Sequence, residues 1–368
     1  MRAIPLIATL LPKITGSALR SVMGKVAPPY LTVLAATGNG FADDTAAIQA
    51  VINEVAADGG GIVQLLAGTF LVTGLTLPSK VILRGAGDED NPTTTLKLAA
   101  GANQDVIRLA DPATTRACSV RNLWIDGNKG ANTSGKGINF ASAYWDPRDF
   151  YTQDFSFSNV TIFDAPSDAL AISGPSQPCI NVKVQNVNLR RNGGKGLALA
   201  YVTDSSFSKI TSDANGNEGI GLEESANNKF LDCKTFYNGT SFASARPYGW
   251  KLLGVRRSHF IGCEAQEDYR YGFHMSDCRD ISGSILVDAN GRQATPGVGI
   301  HIDNSTRFNL IVNSMNFHGE TWQGTGVELD ACSASTLLLT NEDARVTTGF
   351  SRTNSATVHT VVNGVVAA

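Results

Sequence analysis

The residues of this chain best suited to chemistry fall into one register of a repeated phrase. Glycine, apolar, any residue, apolar recurs from Gly137, Gly196, Gly219, Gly249, Gly272, Gly299 and Gly326, and Gly349-Phe350 is a fading last copy. From Gly196 the steps are 23, 30, 23, 27, 27 and 23 residues, and Ala169-Leu-Ala-Ile fills the gap before it. The third position of the phrase runs Asn139, Ala171, Ala198, Gly221, Lys251, His274, His301, Glu328. Two residues on, the series is Ala141, Ser173, Ala200, Glu223, Leu253, Ser276, Asp303, Asp330. Early copies are small and bland. Later copies turn ionisable.

Those later types fit two chemistries. Glycoside hydrolysis takes two carboxyl groups, about 5 Å apart for retention or about 6.5–9.5 Å for inversion. Asp303 and Asp330 hold the same position in successive copies, with Glu328 on their face and Glu223 several copies earlier. His274 and His301 are candidate general acids or bases, and Lys251 a cation for an acidic sugar. The same histidines and lysine equally suit a polysaccharide lyase, which needs a base and a partner for the uronate carboxylate. A third reading leaves the column as solvated surface or a subunit contact. His274, His301 and Asp303 have ligand types, but nothing in the spacing fixes a coordination geometry, so neither a metal nor a cofactor is expected.

These positions require a scaffold that repeats. A period of about 20–30 residues made of short alternating strands marks a solenoid, because one copy cannot bury its own apolar face. The composition agrees: 37 of 368 residues are glycine and only 17% are charged. A second strand recurs in each copy, as in Val120-Arg-Asn-Leu-Trp-Ile, Val184-Gln-Asn-Val-Asn-Leu and Phe260-Ile-Gly-Cys-Glu. Turns are expected at Asn192-Gly193, Asn215-Gly216, Asn238-Gly239 and Asn290-Gly291, where both residue types tolerate positive φ. The expected fold class is an all-β, single-stranded parallel β-helix of nine or ten coils. The net charge of −3, with no Lys/Arg run, argues against nucleic acid or an anionic membrane as partner. No stretch approaches about 20 uninterrupted apolar residues, so no transmembrane helix is expected. Six cysteines lack CxxC spacing, and Cys233 and Cys263 share an apolar slot, which reads as buried thiols.

Residues 1–34 read as a leader or attachment segment, and 35–368 as the β-helix domain, with coils over 62–365. Residues 2–18 loosely mimic a signal peptide, but Pro5 and Pro12 interrupt the apolar run. Asp43-Asp44-Thr45 offers an N-cap for a helix over 43–57, which Gly59-Gly60-Gly61 stops. Two loops are rich in aromatic and polar residues: 141–157 with Tyr144, Trp145 and Arg148, and 239–250 with Tyr248 and Trp250. Such loops suit the apolar faces of sugar rings, or cover a strand.

Asn39-Gly-Phe-Ala-Asp-Asp-Thr-Ala-Ala-Ile-Gln-Ala followed by Gly59-Gly-Gly-Ile-Val-Gln-Leu-Leu-Ala-Gly-Thr-Phe resembles the opening segment of the pectate-lyase-like superfamily. The resemblance implies a right-handed β-helix whose open end is capped by the N-terminal helix, and it is closest to phage tailspike and tail-fibre proteins. It is specific for the fold and not for a reaction. The Gly-His-Gly and Arg-x-Lys motifs of polygalacturonase-like hydrolases are absent, and Asp164 and Asp168 do not replace them. The Asp-Pro-His-Glu motif of sugar epimerases is also missing; Asp146-Pro147-Arg148-Asp149 is no substitute. Three functions follow. The first is a phage or prophage tail protein that binds, and in one form depolymerises, a host-surface polysaccharide. By resemblance it would be a homotrimer in the virion, assembled in the host cytoplasm and joined to other tail proteins through residues 1–34. The second is a secreted lyase or hydrolase. The third is a non-catalytic structural or adhesive β-helix.

Overall fold

The computed structural model describes residues 30–87, 92–144, 153–174, 177–240, 248–292, 297–316, 320–341, 346–354, 358–362 and 365–367. An eleven-stranded sheet forms one side of a parallel β-solenoid, and an eighteen-stranded sheet wraps the rest. Eleven strands mean about eleven coils, more than the nine or ten expected. The excess lies before Gly137, in the strands Leu75–Leu77 and Ile107–Leu109. The chain ends in an antiparallel pairing of Val358–Val362 with Val365–Ala367.

The phrase stacks as its pattern predicts. Ile138, Leu170, Leu197, Ile220, Trp250, Phe273, Ile300, Val327 and Phe350 lie in register through the eleven-stranded sheet. All except Phe350 are fully buried. Alternation explains this, because successive strand side chains point to opposite faces. Glycine leads the phrase for want of room. A Cβ on Gly272 would stand 2.7 Å from the Gly299 carbonyl oxygen, and one on Gly299 would stand 2.6 Å from that of Gly326.

Inside, Phe207, Phe230 and Phe260 stack at 4.6 and 5.1 Å between ring centroids, and Trp250 lies on Phe273 at 4.9 Å. Truncating one such ring to alanine costs about 3–5 kcal/mol. The helix Thr45–Ala57 buries Ile48, Ile52 and Val55 against the first coils. Asp44 sits at its N-cap without capping it. Its carboxylate instead accepts from the Thr37 and Gly38 amides at 2.7 and 3.1 Å, while Asp43 accepts from the Thr45 amide at 2.9 Å. All six cysteines are free and buried, as their apolar slots implied.

The asparagines assigned to turns depart from expectation. Positive φ falls on the residue before each one, at Arg191, Ala214, Tyr237 and Ala289, and, as the turn reading expected, on the glycines Gly239 and Gly291. The asparagines themselves point inward as a buried ladder. Asn192 donates to Asn215 at 2.8 Å, Asn215 to Asn238 at 2.9 Å, Asn238 to Asp268 at 2.9 Å, and Asn290 to Gln323 at 2.9 Å. Each side-chain oxygen also takes a backbone amide from the preceding coil, so a buried polar row is satisfied.

Asp268 is the single carboxylate in this ladder. Burial pushes its pKa up to about 7, against hydrogen bonds from Asn238 and Thr235. A folded-state pKa raised above the usual 3.8 gives stability that is full at low pH and falls as pH rises from about 4 to about 7. The slope reaches about 1.4 kcal/mol per pH unit. Asp268→Asn restores an amide to the row. The expected outcome, read by thermal melting from pH 4 to 8, is a variant more stable than the parent at pH 8 with a flatter profile. A parent whose melting temperature climbs across this range would contradict the assignment.

Candidate functional site

The ionisable column forms as the register requires. Gly221, Lys251, His274, His301 and Glu328 pair in sequence across adjacent strands, and so do Glu223, Leu253, Ser276, Asp303 and Asp330. The strands Tyr248–Leu253, Tyr271–Ser276, Gly297–Asp303 and Gln323–Asp330 carry them. Each strand is anchored by inward residues such as Trp250, Met275, Ile302 and Leu329, so the outward side chains stand on a fixed base.

Asp303 is the hub. Its Oδ2 lies 2.8 Å from His274 Nε2 and 3.4 Å from His301 Nε2, and its Oδ1 accepts from Ser276 Oγ at 2.5 Å. His301 Nδ1 is 2.9 Å from Glu328 Oε2. Lys251 Nζ faces Glu218 at 3.8 Å. The rings form a continuous stack, with Tyr248 on His274 at 4.8 Å, His274 beside His301 at 5.2 Å, and Tyr271 beside His301 at 5.5 Å. Arg270 lies over Tyr271 at 4.8 Å. Burial lowers the His274 pKa from 6.5, with Asp303 pulling the other way. Burial also raises that of Tyr271, which stays a phenol at neutral pH.

This geometry corrects several expectations. Asp303 and Asp330 do occupy adjacent coils, but both oxygens of Asp303 are engaged by its neighbours, so it is not a free member of a hydrolytic pair. Glu223 belongs to Lys195 at 3.0 Å, and that contact outweighs burial to hold its pKa below 4.5. Trp250 offers no sugar platform. It is fully buried, its indole N–H donating to the Glu264 carbonyl at 3.1 Å. The repeat phrase claims it for the core. Tyr248 is also nearly buried and supports the His274 ring instead of facing solvent. Tyr144 lies under Arg116, four coils before the Lys251 strand. Trp145 and Arg148 fall outside the described residues. Asp164 and Asp168 are tied to Arg191 at 3.2 Å and Lys136 at 3.3 Å.

Tyr271, Ser276 and Glu218 belong to the cluster although none was among the candidate residues. Ser276 stands in the outward series beside Asp303, as the spacing places it. Tyr271 and Glu218 precede the phrase glycine, where simple alternation would turn them inward. On the eighteen-stranded sheet lies a groove of about 550 Å³ lined by Trp124, Phe163, Phe236, Arg190, Arg191 and Asp213. Its charges are paired, Arg190 facing Asp213 at 3.8 Å and Arg191 facing Asp164 at 3.2 Å.

Residues 150–334, half of the chain, match the family model described as the right-handed β-helix region. Mannuronan C5-epimerase AlgE5 of Azotobacter vinelandii is 32% identical over 239 residues, covering 60% of this chain and 23% of that protein. Alginate lyase 7 of the same organism is 29% identical over 202 residues, covering 52% of this chain and 22% of its own length. The chain thus spans about a quarter of the curated relatives it matches. Among solved structures, the Azotobacter vinelandii AlgE6 A-module superposes with a TM-score of 0.69 at 18% identity, covering 90% of this chain and 99% of that one. Tailspike protein 2 of an Escherichia coli O157:H7 bacteriophage gives a TM-score of 0.69 at 16% identity, covering 92% of this chain and 47% of that one. At such identities the structural matches carry the fold alone.

The imidazole environment is testable directly. Lys251, His301, Asp303, Tyr248 and Tyr271 all face His274, and Asp303 alone among them favours its charged form. In metal-free protein, nitrogen-detected NMR should place the His274 midpoint below 6.5, and Asp303→Asn should lower it further. A midpoint that rises in the variant would overturn this account of the pair.

Proposed function

The chain belongs to the right-handed β-helix family, and from that premise we propose that it binds a host-surface polysaccharide along the eleven-stranded sheet and cleaves it there. The observation that carries this reading is the His274–Asp303–His301–Glu328 cluster, set on rigid strands where the phrase stops being bland. An extended glycan fits a stack of identical strands, because subsites recur at the strand spacing of about 4.8 Å.

The reaction favoured is elimination at an acidic sugar. Hydrolysis needs two available carboxyl groups, whereas Asp303 and Glu328 are committed to the histidines. Elimination needs a base for the proton beside the uronate carboxylate and a pole that holds the carboxylate itself. We assign Lys251 to the base, Tyr271 to the acid that returns a proton to the leaving oxygen, and Arg270, which lies over Tyr271, to the pole. In proton terms, Lys251 Nζ removes the C5 proton, the C4–O bond breaks, and the Tyr271 hydroxyl protonates the departing oxygen. The curated relatives named for mannuronan epimerisation and alginate lysis support a uronate as the sugar.

The setting proposed is a phage tail, as a homotrimer attached through residues 1–34. The tailspike fold match agrees with it. A secreted enzyme acting on a polyuronate is the second reading, favoured by the sequence identity to the Azotobacter proteins.

Polymannuronate and capsular polysaccharides, incubated with the purified protein, test the reaction. The expected products absorb in the ultraviolet as unsaturated uronates. Lys251→Ala should cut turnover by about 10²–10⁴-fold with melting unchanged. New reducing ends without that absorbance would make the enzyme a hydrolase and sink the assignment of Lys251. Sedimentation equilibrium addresses the assembly: a mass of three chains is expected, and a monomer would favour the secreted reading.

A further inference from the structure

We infer that His274, His301 and Asp303 form a binding site for one divalent ion of the zinc class. Each offers one ligand atom, and the three atoms lie within 4.8 Å of one another. Both Nε2 atoms converge on a single oxygen, Asp303 Oδ2, at 2.8 and 3.4 Å. Ligands of one ion bound at about 2.0–2.1 Å sit about 3 Å apart, so small side-chain shifts would admit it.

The atoms around these ligands are arranged as metal sites arrange them. A ligating histidine usually gives its other ring nitrogen to a carboxylate, which fixes the ring and its tautomer. His301 Nδ1 does so with Glu328 at 2.9 Å. With Nδ1 turned to Glu328, His301 presents Nε2 to Asp303 Oδ2, and one ion placed between those two atoms would bind both. Ser276 holds Asp303 by its other oxygen, leaving Oδ2 aimed at the centre. His274 Nδ1 is buried without a hydrogen-bond partner, so an ion that displaces the Nε2 proton from its 2.8 Å contact with Asp303 breaks no other contact of the ring.

Electrostatics point the same way. Asp303, Glu328 and Asp330 bring three carboxylates to this end of the face, while Lys251 is opposed by Glu218. With neutral imidazoles the surface is anionic and would repel an acidic glycan. A dication offsets two of those charges. Two nitrogens and one carboxylate suit zinc, cobalt or nickel over calcium, which prefers oxygen ligands throughout. Asp303 and His301 remain partly open to solvent, which leaves positions for water or a sugar oxygen. That last role alone rests on the glycan reading above.

Cobalt(II) and zinc(II) titrations of metal-free protein, without any glycan, test the site. One equivalent of cobalt should bind with visible absorption bands of a nitrogen- and oxygen-ligated ion, and zinc should displace it. His274→Ala and His301→Ala should each abolish the bands, and Asp303→Asn should reduce them. Glu328→Gln should retain one equivalent with affinity weakened about 10–100-fold. Circular dichroism and melting of each variant separate lost binding from lost folding. Absence of stoichiometric cobalt binding in the folded parent, or bands that survive in both histidine variants, would overturn the site. Because no glycan is present, that outcome leaves the polysaccharide reading standing. Metal binding by a protein that cleaves no glycan would do the reverse.

Discussion

Parallel stacking in constant register is the interaction on which everything else in this molecule depends. Each coil hands its backbone hydrogen bonds to the next, and the same slot therefore recurs at one strand spacing along the whole solenoid. The phrase glycine keeps that spacing intact, since a Cβ at Gly272 would collide with the carbonyl of Gly299. Interior slots must then tile with one another. Apolar residues do so by stacking, as Phe207, Phe230 and Phe260 show, and polar ones by handing an amide to the next coil, as Asn192, Asn215 and Asn238 show. The outer face carries no such demand. A single outward substitution changes the surface without disturbing the ladder, so chemistry can be concentrated in a few coils.

That separation explains what the chain pattern discloses. The inward rows are set by alternation with period two, and they were legible from Ile138 to Phe350 because every copy repeats the same requirement. The outward Lys251, His274, His301 and Glu328 column was legible for the same reason. Contacts between columns were not. That Asp303 binds both histidines depends on side-chain reach across coils, which no single-column reading contains. Nor does composition distinguish an exposed aromatic from a buried one. Trp250 sits in an aromatic-rich stretch, yet its phrase position sends it inward onto Phe273. The asparagines were misplaced by a similar competition. Asn-Gly normally signals a turn, but here the need to satisfy buried coil-to-coil amides claims the asparagine side chains, and positive φ falls on the preceding residue and, at Gly239 and Gly291, on the glycine.

The cluster has an electrostatic logic of its own. Lys195, Lys136 and the arginines of the opposite groove each face a carboxylate, so those charges are balanced locally. Around Asp303 and Glu328 the balancing groups are imidazoles, whose charge depends on what they bind. A face built this way responds to protons and to cations, whereas the earlier coils do not. The Asp268 carboxylate illustrates the contrasting case, a buried acid held by neutral amides.

The central claim is that an acidic glycan lies where the phrase turns ionisable. Hydrogen–deuterium exchange with and without a uronate oligosaccharide measures this most directly. Protection is expected in Tyr248–Leu253, Tyr271–Ser276, Gly297–Asp303 and Gln323–Asp330. Protection confined to the strands bearing Trp124, Phe163 and Phe236, with none on these four, would contradict it.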